Sequence, residues 1–177
     1  MTRFLNKHLL PVGPYPMIHY AISKLAEAGI RDILLVTGKY SGGLFMDYIG
    51  REWNVRISFK VQEEPGGIAQ ALALAEGFVS PSEKFVVLLG DNLFEDSPTE
   101  EFARFREQPE QARVRTVQPS ARGEMEITDV DNMYAARGML SYGIPSGWWI
   151  DAGTHLSFRE AAQRIAGEVT LRPIFSA

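Results

Sequence analysis

Asp91 follows the apolar run Phe85-Val86-Val87-Leu88-Leu89 with only Gly90 between them. A carboxylate in that place stands at the carboxyl end of an expected buried strand, where a cation or a ribose hydroxyl can reach it. Asp151 is similar: it follows Trp148-Trp149-Ile150, and Gly153 frees the backbone beside it. Two such carboxylates can share one hard divalent ion with phosphate oxygens, which is how magnesium is usually held. Each is equally readable as a turn aspartate capping the next helix.

Other groups suit an anionic ligand or a base. Pro65-Gly66-Gly67 opens an expected helix, and glycine lets backbone amides approach a base or a phosphate closely. Gln62, just before it, carries a donor and an acceptor that could read a base edge. Lys7, in Asn6-Lys7-His8-Leu9-Leu10-Pro11, offers a point charge for phosphate, and Arg122, in Ser120-Ala121-Arg122-Gly123, offers a guanidinium. The plainer readings are a helix-start turn and two surface charges. His8, His19 and His155 lack metal-ligand spacing and receive no role, and Trp148-Trp149 reads as core or rim packing. There is no Gly-x-x-x-x-Gly-Lys-Ser/Thr loop and no Gly-x-Gly-x-x-Gly after a strand.

The elements that must position these groups alternate. A helix is expected from Pro16 to Ala28, stopped by Gly29, and a strand over Asp32–Gly38. A short helix over Gly43–Ile49 precedes a half-buried strand over Val55–Val61. A helix beginning near Ile68 leads to the buried strand Phe85–Leu89 and a short helix from Pro98 to Arg106, capped by Ser97. Strands are expected at Ala112–Val117 and Met139–Ile144, with a helix between them from a Thr128 cap to Arg137. Ser157 and Glu160 form a capping-box pattern for the last helix. Alternation of this kind implies an α/β fold, a sheet with helices on both faces, whose ligands sit beyond the carboxyl ends of strands.

Composition sets the bounds. The 177 residues are 45% apolar and 23% charged, with net charge −4, which suits one globular domain over residues 1–177. No basic run marks a nucleic-acid footprint. No apolar stretch is long enough for a membrane span, and the first ten residues do not form a secretory signal. The chain has no cysteine, which excludes disulfides and thiol chemistry and fits a reducing, cytoplasmic setting.

In combination these strings resemble the bacterial glucose-1-phosphate thymidylyltransferases, sugar nucleotidyltransferases with a three-layer Rossmann-like sheet. The resemblance is carried by Asn6–Val12 with Pro16-Met17-Ile18, by Ala28–Ile33, by Val61–Ala71, by Leu89-Gly90-Asp91-Asn92, by Pro119–Asp129 and by Trp149–His155. The strings run in family order, and they are most similar to members associated with spore-coat polysaccharide synthesis. The resemblance implies that dTTP and glucose 1-phosphate are joined to give dTDP-glucose and pyrophosphate. It implies that Asp91 and Asp151 hold Mg2+, that Gln62 and Gly67 contact the thymine with Asp91 also on the nucleotide, and that Lys7 and Arg122 face phosphates. No nucleic acid or membrane partner is implied; relatives commonly form homo-oligomers.

Two departures accompany it. Family members carry Gly-Gly-x-Gly-Thr-Arg-Leu ahead of the segment matched by Asn6–Val12, whereas this sequence opens Met1-Thr2-Arg3. Near Val114–Gln118 a long family stretch with a Glu-Lys-Pro motif has no counterpart. Read as written, the sheet is truncated, neighbouring strand edges are left unpaired, and turnover is weak. The alternatives are a non-catalytic nucleotide-binding or assembly remnant, and a sugar-phosphate nucleotidyltransferase using UTP or CTP.

Overall fold

The computed structural model describes residues 6–49, 53–80, 83–108, 126–140 and 143–168. The expected strand at Ala112–Val117, the gap near 114–118 and Arg122 lie outside them. Helices and strands alternate along the chain, as an α/β fold requires, and the chain's contacts divide into two compact units.

The first unit comprises residues 1–28, 87–98 and 145–177. A 3-10 turn over Lys7–Leu9 leads into a small hairpin, β1 (Pro11–Val12) with β2 (Tyr15–Pro16), and then into helix α1 (Met17–Glu27). Met17, Ile18, Ala21 and Ile22 are buried on one stripe of α1, the face its spacing dictates. Further along, β5 (Asn92–Phe94) pairs antiparallel with β6 (Trp149–Asp151), and α6 (His155–Glu168) follows. Because side chains alternate along a strand, Leu93 and Ile150 turn to one face and Asn92, Phe94, Trp149 and Asp151 to the other. The first face is the core: Leu93 and Ile150 cluster with Val12, Met17, Ala152, Ala161 and Ile165. Tyr20, Trp148 and Phe158 pack around this cluster. Burying one such leucine contributes ~1.5–3 kcal/mol.

The second unit comprises residues 29–86 and 99–144. Here β3 (Asp32–Gly38) pairs parallel with β4 (Arg56–Gln62) through seven register positions, with α2 (Gly42–Ile49) as the crossover. Phe45 and Ile49 bury the inner stripe of α2. Arg56 grips Asp32 with two charge-assisted bonds, 2.6 and 2.5 Å, at the first register position. Helices α3 (Ile68–Ala73), α4 (Thr99–Glu107) and α5 (Ile127–Ala136) complete the described part. Lys84 donates to the carbonyls of Phe105, Arg106 and Gln108, so a cation covers the negative end of α4.

Several local expectations need correction. The strands over 32–38 and 56–62 form, whereas Phe85–Leu89 is in no ladder among the described residues. Its side chains alternate in exposure, with Phe85 50% and Val87 44% exposed. Apolar runs specify burial, but a ladder also needs a neighbouring edge to take the N–H and C=O groups. Likewise Met139, Leu140, Gly143 and Ile144 are not in a strand. Helix α5 starts one residue before Thr128, with Glu126 at the cap position, so Thr128 is inside the helix. The reciprocal cap of α6 is made by Thr154 and Ser157, each backbone N–H donating to the other's hydroxyl at 3.1 Å, rather than by Ser157 and Glu160. Glu160 instead pairs with Arg164 one turn on. Among the described residues no helix is long and apolar enough to cross a membrane.

Candidate functional site

The β5–β6 ladder brings together the chain segments that carry two carboxylates 60 positions apart in the sequence. Asp151 is directly opposite Asn92, the neighbour of Asp91, and the Ala152 N–H donates to the Asp91 carbonyl at 2.8 Å. The Leu93 and Ile150 core behind the ladder fixes this register, because a one-residue slip of either strand would turn its core side chain out.

Three side-chain hydrogen bonds converge on Asp91 and its neighbour. Lys7 Nζ donates to Asp91 Oδ2 at 2.5 Å, and Asn92 Nδ2 donates to Asp91 Oδ1 at 3.2 Å. The Asn92 amide is itself oriented by the Trp149 indole, whose Nε1–H donates to Asn92 Oδ1 at 2.9 Å. Burial pushes the Asp91 carboxyl up, but the Lys7 hydrogen bond and charge, with His8 and Asn92, outweigh it and hold the group below the usual carboxylate range. Asp91 is therefore ionised at neutral pH. Asp151 is more open, and its Oδ1 accepts from the Gly153 N–H at 2.8 Å.

The turn carrying Lys7 is braced from within. Asn6 Oδ1 accepts the His8 backbone N–H at 3.0 Å and faces His8 Nδ1 at 2.7 Å. Because the backbone contact requires an oxygen there, Nδ1 is the protonated ring nitrogen. Burial holds His8 below its ordinary range, partly offset by Asp91 and reinforced by Lys7, so the ring is neutral. It lies against Gly90, where a Cβ would come within 3.0 Å of the imidazole.

His8, Asn92 and Trp149 had no site role in the sequence reading. Trp149 carried a usable signal: it is two residues before Asp151 on one strand and hence on the same face. The paired tryptophans divide accordingly, Trp148 packing on the core and Trp149 lying 54% exposed. His8 carried no local signal, since its partner Gly90 is remote in sequence.

Gln62 and Gly67 belong to the second unit. Gln62 ends β4, and Gly67, at φ +88°, begins α3. Gln62 Nε2 donates to the Gly67 carbonyl at 3.2 Å and to Gln70 Oε1 at 2.6 Å, so the two expected base contacts touch one another.

The donor set fits a divalent cation of the hard kind. Asp91 immediately precedes β5 and Asp151 ends β6, each an oxygen donor, and no group of three or more His, Cys, Asp or Glu that could hold a metal ion occurs among the described residues. Two carboxylates with the remaining positions open to phosphate and water suit magnesium better than zinc.

Comparison with known proteins identifies the family. The nucleotidyl transferase family pattern matches residues 1–117, ending inside the stretch where the sequence reading places the gap. A glucose-1-phosphate thymidylyltransferase of Neisseria meningitidis is 32% identical, covering 92% of this chain and 76% of the relative. Another from Xanthomonas campestris is 31% identical over 93% of this chain and 75% of its own length. The Neisseria alignment spans 219 residues, more than the 177 of this chain, so that relative carries internal residues with no counterpart here. Among solved structures, a Bacillus anthracis protein assigned as a glucose-1-phosphate thymidylyltransferase, in complex with a sucrose, superposes with a TM-score of 0.84 at 36% identity. That match covers 96% of this chain and 90% of the other. A UDP-glucose pyrophosphorylase with UDP-glucose superposes at 0.76 with 17% identity, a likeness of fold alone.

Proposed function

We infer the activity from one premise: the chain belongs to the nucleotidyl transferase family. It is an enzyme of the glucose-1-phosphate thymidylyltransferase kind, joining dTTP and glucose 1-phosphate into dTDP-glucose and pyrophosphate. The observation that carries the site assignment is the pairing of β5 with β6, which makes neighbours of Asp91 and Asp151.

In the reaction, a phosphate oxygen of glucose 1-phosphate attacks the α-phosphorus of dTTP. The bond from that phosphorus to the bridging oxygen breaks, and pyrophosphate leaves with the electron pair. Little covalent work falls to the protein, which must align the two phosphates and offset their charge. Asp91 and Asp151 would hold magnesium, which when bound supplies a charge clamp on phosphate oxygens. Lys7 donates to Asp91 and, as a flexible point charge, would exchange that carboxylate for a phosphate. Arg122 is assigned a second phosphate contact from its motif. Gln62 and Gly67 would meet the thymine, with Asp91 close to the nucleotide phosphates. Substrates of this kind, and a chain without cysteine, suit the cytoplasm.

The test is pyrophosphate release with dTTP, glucose 1-phosphate and magnesium, with UTP and CTP as competitors. Turnover that requires both substrates and the metal supports the reading. Tight dTTP binding without turnover would make the chain a nucleotide-binding remnant, and preference for UTP or CTP would reassign the donor.

A further inference from the structure

Gln62 is not free to present either end of its amide. Its Nε2 donates to the Gly67 carbonyl at 3.2 Å and to Gln70 Oε1 at 2.6 Å. A backbone carbonyl only accepts, so the Gly67 contact decides which end of the Gln62 amide is nitrogen. The second contact then decides Gln70, whose oxygen must face Gln62. Both hydrogens of the Gln62 amide are used, and among the described residues nothing donates to its Oε1. The turn is shaped around this arrangement: a Cβ at Gly66 would fall 2.3 Å from the Gln70 amide.

We propose that Gln70 is the positioning residue that sets base preference, by locking Gln62 as a pure acceptor toward the nucleotide. The inference rests on the thymidylyl reading and deepens it. Thymine in a nucleotide has one N–H, at ring position 3, so an acceptor-only group can meet thymine only there. Held at that register, cytosine presents a lone pair at position 3, and two acceptors face each other. Uracil carries the same N–H as thymine and is not separated by this device. Without Gln70, the Gln62 amide keeps its Gly67 partner and has one N–H left to donate to cytosine.

The experiment measures binding of dTDP and dCDP by calorimetry, and kcat/KM for dTTP against dCTP, in four proteins: wild type, Gln70→Met, Gln70→Glu and Gly66→Ala. An unsatisfied acceptor predicts that wild type favours thymine by roughly ten- to hundred-fold. Gln70→Met keeps the length of the side chain but loses the acceptor, and the preference falls about five-fold or more, with a gain for dCDP. Gln70→Glu retains the preference, because a carboxylate accepts from Gln62 Nε2 as the amide does. Gly66→Ala displaces Gln70 without removing it and lowers the preference as well, so the proposal stays testable if Gln70→Met does not fold. Wild-type preference in both Gln70→Met and Gly66→Ala overturns the role of Gln70 and leaves the thymidylyl reading intact. A wild-type chain that binds dTDP and dCDP alike overturns both.

Discussion

Removing either end of the Lys7–Asp91 contact should cost stability as well as activity, and the two losses should be coupled. The contact is 2.5 Å long, and the side chains are 30% and 17% exposed. It therefore lies between an exposed ion pair, worth ~0.2–1 kcal/mol, and a buried one whose disruption costs ~3–5 kcal/mol. A coupling of ~1–2 kcal/mol is expected from a double-mutant cycle of Lys7→Met and Asp91→Asn. The assay is urea unfolding of the four proteins at low salt, without metal or nucleotide. Because the Asp91 carboxyl is depressed in the folded chain, this contribution is present above its unfolded value and fades as the pH falls through the folded value. The coupling should accordingly shrink below about pH 4. Additive losses at neutral pH, with no coupling beyond ~0.3 kcal/mol, would refute the placement of Lys7 on Asp91.

Three further outcomes follow from the packing. Leu93 is 2% exposed in the core behind the site, so Leu93→Ala should cost ~2–5 kcal/mol by urea unfolding and reduce nucleotide binding through the β5–β6 register. Burial lowers the His19 pKa from 6.5 to about 4, so the unfolded chain binds the extra proton first and stability falls as the pH drops from 6.5 toward 4. Unfolding midpoints of His19→Gln should be flatter across that window than those of the wild type. Gly67, at φ +88° and ψ 173°, occupies backbone space essentially reserved for glycine, so Gly67→Ala should cost ~1–3 kcal/mol and weaken dTTP binding measured by titration.

Much of this was legible in the sequence, for physical reasons that differ by element. The α1 stripe ending at Gly29, the apolar run of β3 and the alternation of β4 are local patterns, and local patterns survive into the fold. Phe85–Leu89 shows the limit of that logic, since hydrophobicity states that a segment wants cover and not which edge will pair with it. Cap positions shifted by two residues at Glu126, whose side chain makes no cap bond, and by three at Thr154, where two hydroxyls three residues apart share the free N–H groups. At the site, Asp91 and Asp151 could be suspected from what precedes each of them. The neutral His8 beneath Lys7 and the Gln70 lock on Gln62 could not, because each depends on a contact made only after the chain turns back on itself.

One divalent cation shared by Asp91, Asp151 and the nucleotide phosphates is the feature on which the proposed chemistry turns. Manganese is a spectroscopically visible substitute for magnesium, and its binding in the presence of dTTP can be followed by electron paramagnetic resonance. One nucleotide-dependent ion per chain is expected, with affinity lowered about ten-fold or more in Asp91→Asn and in Asp151→Asn alike. Unaltered manganese affinity in both variants, with dTTP still bound, would contradict it.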